Sequence, residues 1–440
     1  MLTRSWLCAA LLAAVPAWPQ VSGPVSAGGS DQMATPPPVS GQAYPTEVGA
    51  ETRSNYLRGG LTYNTGYIDN LYAGSGGAPL GETTFSIRST ISLDQTSARQ
   101  HRTLRYSPGF TFYQPTSELN ETDQSAMVAY MFRPTPHTSF SASDSFVDSS
   151  TSFSATDTPA NGGVSGAMPG FAPGVIAPFT KRLTNNAQGE FSFQYGLNGM
   201  VGASGTSMKL HYPDPSEAAG LYDSDQRGGS VFLNRRLSAT QYTGITYQYA
   251  HILAYPPNAQ FATVTHTINA FYSIDPSRAL SISVSGGPQR YETMQTSLPG
   301  TGNWGPSVTA SMGWQSAHTS AAAGYSYAVT GGGGLLGAFK SNSANASARW
   351  QAARTWTISA SGSYAINKSA TPSLLFAAPG GHSISARATV DHALSSQLNL
   401  DFEYDRLHQS YSGITAISNN PNSDREMISL AWQFTRPLGK

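Results

Sequence analysis

Charge is scarce in this chain of 440 residues: Lys and Arg number 25, Asp and Glu 25, and together they fill 11% of positions. Soluble domains carry about 25%, so a well-hydrated cytosolic enzyme is a poor fit. A balanced, dilute charge set also leaves no basic face for nucleic acid. After the first 17 residues no apolar run approaches the ~20 residues that a membrane helix needs, which argues against helical spans. There is one cysteine, Cys8, inside the N-terminal apolar segment. A chain cut after residue 17 would have no thiol, and disulfides would play no part in its fold. The nine histidines are scattered singly, without HExxH, and give no zinc site. Gly331 to Gly334 precede no Lys-Ser/Thr pair, so they read as a loop tip and not as a phosphate cradle. Asp214, Asp223 and Asp225 fall together in one link, but without calcium-loop spacing they read as solvated acids. No cofactor and no metal are expected, and Ser and His are too numerous for a chance pair to argue for an enzyme.

What is present is β-sheet sequence. Aromatics reach 11%, Tyr alone numbers 22 and Gly 44, while Ser, Thr and Asn supply the polarity. Arg4, the apolar stretch Trp6 to Val15 and the small residues of Val15-Pro16-Ala17 read as a secretory signal peptide over residues 1–17. Residues 18–55, rich in Pro, Gly, Ser and Ala, read as a flexible periplasmic lead-in. From 56 to 440 the pattern has a period of two. Phe85, Ile87, Ile91 and Leu93 alternate with Ser86, Arg88, Thr90 and Ser92; Ile428, Leu430, Trp432 and Phe434 alternate with Ser429 and Gln433. Such alternation marks strands with one apolar and one polar face. A soluble sandwich would share it, so the links decide. About eighteen strands (16–18) can be drawn, with short links such as RPTP, DPSR, QSA and LSS alternating with long ones such as 149–184 and TMQTSLPGTGN. Tight turns at one end and longer loops at the other predict an all-β, transmembrane, antiparallel up-and-down barrel. Tyr, Trp and Phe near the strand ends fit interfacial girdles.

If the apolar residues face lipid, their neighbours face the lumen. That places Arg88, Arg105, Arg349, Arg387, Asp401, Glu403 and Asp405 inside, since Arg or Lys in hydrocarbon costs roughly 2–4 kcal/mol at the midplane. They would pair across the lumen and stiffen the wall, set the field of a wet pore, or do both. The 149–184 link is too apolar to wave freely; with Met168, Phe171 and Phe179 it is expected to fold inward and narrow the channel, or else to cap the mouth.

The segments YNTGYIDNLY (Tyr63 to Tyr72), TFSIRSTISL, RYSPGFTFY (Arg105 to Tyr113) and RPTPHTSFSASDSF (Arg133 to Phe146) resemble a family of bacterial outer-membrane β-barrel porins often encoded beside exopolysaccharide genes. The resemblance covers about the first five strands and beyond them only the hairpin rhythm. It implies an outer-membrane channel for hydrophilic solutes, with glycans as favoured cargo, and no catalytic motif. Its partners would be outer-membrane lipids, the solutes and the outer-membrane assembly machinery. Phe434 is followed by Thr-Arg-Pro-Leu-Gly-Lys, a departure from the common pattern of a C-terminal aromatic. A different class of function, a plugged structural or adhesive barrel working through its outer loops, is the alternative.

Overall fold

In the computed structural model, residues 54–71, 79–150, 180–214, 220–256, 260–277, 279–295, 298–332, 335–370, 380–412 and 422–438 are described. They form eighteen strands. These are β1 (Ser54–Ile68), β2 (Glu82–Thr96), β3 (Gln100–Gln114), β4 (Glu121–Thr135), β5 (Thr138–Ser149), β6 (Arg182–Tyr195), β7 (Gly199–His211), β8 (Ser224–Ser238) and β9 (Gln241–Ala254). The second half comprises β10 (Phe261–Ser277), β11 (Leu280–Gln295), β12 (Leu298–Gln315), β13 (Thr319–Gly332), β14 (Leu335–Ala353), β15 (Trp356–Ser369), β16 (Gly380–Ala393), β17 (Leu398–Ser412) and β18 (Asn422–Pro437). Every strand pairs with the next, and β1 pairs with both β2 and β18, so the sheet closes as an antiparallel up-and-down barrel. Closure matters energetically because it leaves no sheet edge of uncharged residues open along the barrel's whole length. The expected fold class and strand number are the observed ones.

The alternation of the sequence becomes an outer and an inner face. Outward residues are large, apolar and exposed: Leu61, Tyr63 and Tyr67 on β1, Leu104, Tyr106, Phe110 and Phe112 on β3, Ile428, Leu430 and Trp432 on β18. On the inner face, hydroxyls and amides meet across strands: Ser139 with Ser192 at 2.6 Å, Ser204 with Ser230 at 2.7 Å, Ser326 with Ser343 at 2.7 Å, and Ser359 with Thr389. Each such cross-strand pair contributes a few tenths to about 1 kcal/mol. The face that looks polar in the sequence is thus stitched to itself.

β6 ends at Tyr195 and the chain turns at Gly196, whose φ of +61° suits a residue without Cβ. One expectation about links needs correction. The segment TMQTSLPGTGN, expected as a long loop, lies largely within β11 and β12, which continue to Gln295 and start again at Leu298. The short-turn end is regular. The other end mixes long links with tight ones at β11–β12 and β13–β14.

Prolines inside strands account for three interruptions of the ladders. Pro108 faces Gln124 of β4 in register, so its nitrogen points to β2, and the β2–β3 register skips from Arg88↔Gly109 to Ile91↔Tyr106. Ser107 repairs the gap: its Oγ donates to the Ser89 carbonyl at 3.0 Å and bonds the Thr90 hydroxyl at 2.7 Å. Pro288 and Pro306 face each other across β11 and β12. Since neither can donate, this is a non-hydrogen-bonded pair, and their nitrogens turn away toward β10 and β13. The β10–β11 register accordingly skips from Thr267↔Gln289 to Ala270↔Gly286, and the β12–β13 ladder stops at Val308↔Tyr327.

Candidate functional site

The barrel interior carries its densest charge on three neighbouring strands. Register places Arg387 of β16, Asp405 of β17 and Arg425 of β18 in one row. Arg387 Nε donates to Asp405 Oδ1 at 2.7 Å; Arg425 donates to Asp405 Oδ2 from Nε at 2.9 Å and from Nη2 at 2.5 Å. Glu403, two residues along β17 on the same face, accepts from Arg425 Nη2 at 2.7 Å and lies 3.7 Å from Arg387 Nη2. The Asp405 side chain is 2% exposed and that of Arg425 10%. Two carboxylates and two guanidiniums in contact satisfy one another, which is what allows them to be buried. One step toward the short turns, Asp391 faces Asp401 in register.

A second set sits on β2 to β4. Arg88 reaches over Gly109 toward Asp123, with Nη2 3.8 Å from Oδ2. A Cβ on residue 109 would lie 3.3 Å from Arg88 Nε, so the missing side chain gives the guanidinium its path. Arg105 lies on the same inner face, opposite Ser92. Arg349, opposite Ser320 and Ser359, is on β14, away from both groups.

At the long-link end the interior is filled on this side. Ile68, Leu71, Tyr113 and Leu407 form a buried cluster with Leu119 packed against it. Tyr113 donates its hydroxyl to Glu121 at 2.8 Å, and buried Glu82 accepts from the Thr116 hydroxyl at 2.6 Å. The link after β7 is tied down by Asp223, which accepts from the Tyr212 backbone at 2.8 Å and meets His211 Nδ1 at 2.6 Å. Burial pushes the Tyr212 phenol up to about 12. Asp225 pairs with Arg227 at 3.0 Å. The three acids weighed for calcium are therefore all engaged with other groups. Among the described residues no group of three or more His, Cys, Asp or Glu could hold a metal.

The charged residues expected inside all lie on the face opposite the exposed aromatics. Arg387, Glu403 and Asp405 pair along the wall between adjacent strands, and Arg88 reaches Asp123 one strand further on. Arg387, Glu403 and Asp405 come together; Arg88 and Arg105 form a separate neighbourhood. Arg425 was missed, although its place beside Asp424 at the start of the last strand was legible as an inward position once the register of β18 is known. Met168, Phe171 and Phe179 lie outside the described residues.

The sequence matches no protein-family model and no curated protein. Solved structures similar to it include the following three. The ferric-catecholate import receptor Fiu of E. coli K12 is 10% identical with a TM-score of 0.43, over 87% of this chain and 82% of that one. Ferric citrate transporter FecA gives 9% identity and 0.45, over 88% and 79%. Pseudomonas aeruginosa OccK2 (OpdF), solved in complex with glucuronate, gives 11% and 0.42, over 86% and 98%. At these values the likeness does not extend to cargo or mechanism.

Proposed function

We propose that this protein is an outer-membrane channel that admits hydrophilic solutes, glycans among them, by passive diffusion. The observation that carries this reading is the division of a closed eighteen-strand wall into an exposed apolar outer face and an inner face of hydroxyls, amides and paired charges. Lipid on one side and water on the other is the environment that stabilises both faces at once. Hydroxyls and amides along the wall replace part of a solute's hydration, and the arginine groups shape the field it meets. Glycan cargo rests on the sequence resemblance alone. The outer-membrane address, the removal of residues 1–17 and dependence on the barrel-assembly machinery belong to the same proposal, as does the absence of catalysis.

Liposome swelling with sugars of graded size tests it. Swelling that falls off with sugar size supports a channel; none with the smallest sugar overturns it. One observation favours a second reading, a plugged structural or adhesive barrel: the inner-face residues Thr263, Thr265 and Thr267 of β10 are each only 2% exposed. The same swelling assay separates the two readings.

A further inference from the structure

The upper part of β13 leaves the wall. Below Val308↔Tyr327 it pairs with β12 in the ordinary way, and above that point β12 continues toward Leu298 paired with β11 alone. Pro306 explains the break, because it offers β13 no N–H. Beyond it β13 remains paired with β14, Thr330 opposite Phe339, and β14 stays paired with β15 as far as Phe339↔Ser369, so β13 parts from β12 while still carried by the sheet on its other side.

Its destination is given by three contacts. Gln289 of β11 donates from Nε2 to the Val329 carbonyl at 2.9 Å, and the Val329 N–H donates to Gln289 Oε1 at 2.7 Å. A side-chain amide thus stands in for the ladder bonds that β12 does not supply. β12 presents Gly305 opposite Gln289, so no side chain stands in between. Val329 and Ala338 share strand faces with the outward residues Tyr325 and Trp350, yet they are buried in one cluster with Ala370, just past β15, and with Tyr291, which shares the inner face of β11 with Gln289. An outward-parity residue can touch the inner face of another strand only if its own strand has stepped inside the barrel. β14 also approaches β9 and β10, which are far from it in the wall order.

We infer that the inward-leaning ends of β13 and β14, around Val329 and Ala338, form a constriction latched by Gln289, and that it sets the largest solute the barrel passes. This rests on the channel reading above. It assigns the narrowing to strand ends whose outer face has been tucked behind β12, whereas the sequence pointed to the link 149–184. Gln289 is a positioning residue: it holds these strand ends and need not touch the solute.

The test uses the full chain with Cys8→Ser and Ala338→Cys, reconstituted in liposomes, with Gln289 intact or replaced by Leu. A membrane-impermeant maleimide reports whether position 338, fully buried in the native arrangement, becomes accessible. Loss of the two Gln289 bonds is expected to accelerate labelling about tenfold and to move the swelling cut-off toward larger sugars. Unchanged labelling overturns the latch whether or not the barrel conducts. Faster labelling with an unchanged cut-off in a conducting barrel overturns the constricting role. Absence of swelling in every variant overturns the channel reading and the constricting role with it, while the labelling still judges the latch. Gln289→Ser, which removes the same bonds with a smaller side chain, repeats the test if the Leu variant does not assemble.

Discussion

Arg425 closes a fork on Asp405, with Nε at 2.9 Å and Nη2 at 2.5 Å from the same carboxylate oxygen, across the β17–β18 seam. The two side chains are nearly sealed from water. Removing one partner therefore strands a buried charge, which costs several times what an exposed pair is worth.

Arg425→Met is expected to destabilise the barrel by about 3–5 kcal/mol. Arg88→Met, which breaks a 3.8 Å contact made by a half-exposed arginine, is expected to cost no more than about 1 kcal/mol. Urea unfolding in lipid vesicles measures both. Equal losses would show that the β16–β18 network is not a structural seam.

The outer face is testable by depth. Val231 sits midway along β8 and is 53% exposed, flanked by Ala203 and Tyr247. Val231→Arg is expected to cost roughly 2–4 kcal/mol, and Leu237→Arg, near the short turn, about 0–1 kcal/mol. A flat response in the same unfolding assay would remove the lipid-facing assignment.

Ser107 fills the place of the bonds lost to Pro108. Ser107→Ala leaves the Ser89 carbonyl without that donor and is expected to cost about 1–3 kcal/mol. Hydrogen exchange across β2 and β3 should quicken around Ser89 and Thr90; exchange that stays as slow as in the native chain would count against the repair.

Arg88 and Arg105 place positive charge on one stretch of inner wall. In the channel reading, replacing both with Ser is expected to weaken anion preference, so the reversal potential across a potassium chloride gradient moves toward that of potassium. No movement would mean that the permeating ions do not pass this stretch.

Much of the architecture was legible because a strand's side-chain period is two and cannot be mistaken for anything else over eighteen repeats. The inward position of Arg387 or Glu403 follows from that parity alone. Partners do not follow, because they depend on register: Asp405 meets Arg425 rather than a neighbour one step away only through the offset of β17 against β18. The turn at Gly196 was hidden because Phe191, Phe193 and Val201 keep an alternating rhythm on either side of it. Likewise Val329 and Ala338 carry the parity of outward residues, and nothing local tells that their strand ends lean inward. The clue that was present is Pro306, a proline in the interior of a strand.

The seam between β1 and β18 has a consequence for biogenesis. Leu438 donates its N–H to the Asn55 carbonyl at 2.9 Å, and the Asn55 amide returns a bond to the Leu438 carbonyl at 2.6 Å. β1 finds its second neighbour only in β18, the strand most distant from it in sequence among the described ones. Closure of this sheet therefore waits for β18, and a polypeptide truncated before it leaves the far border of β1 without the partner it has here.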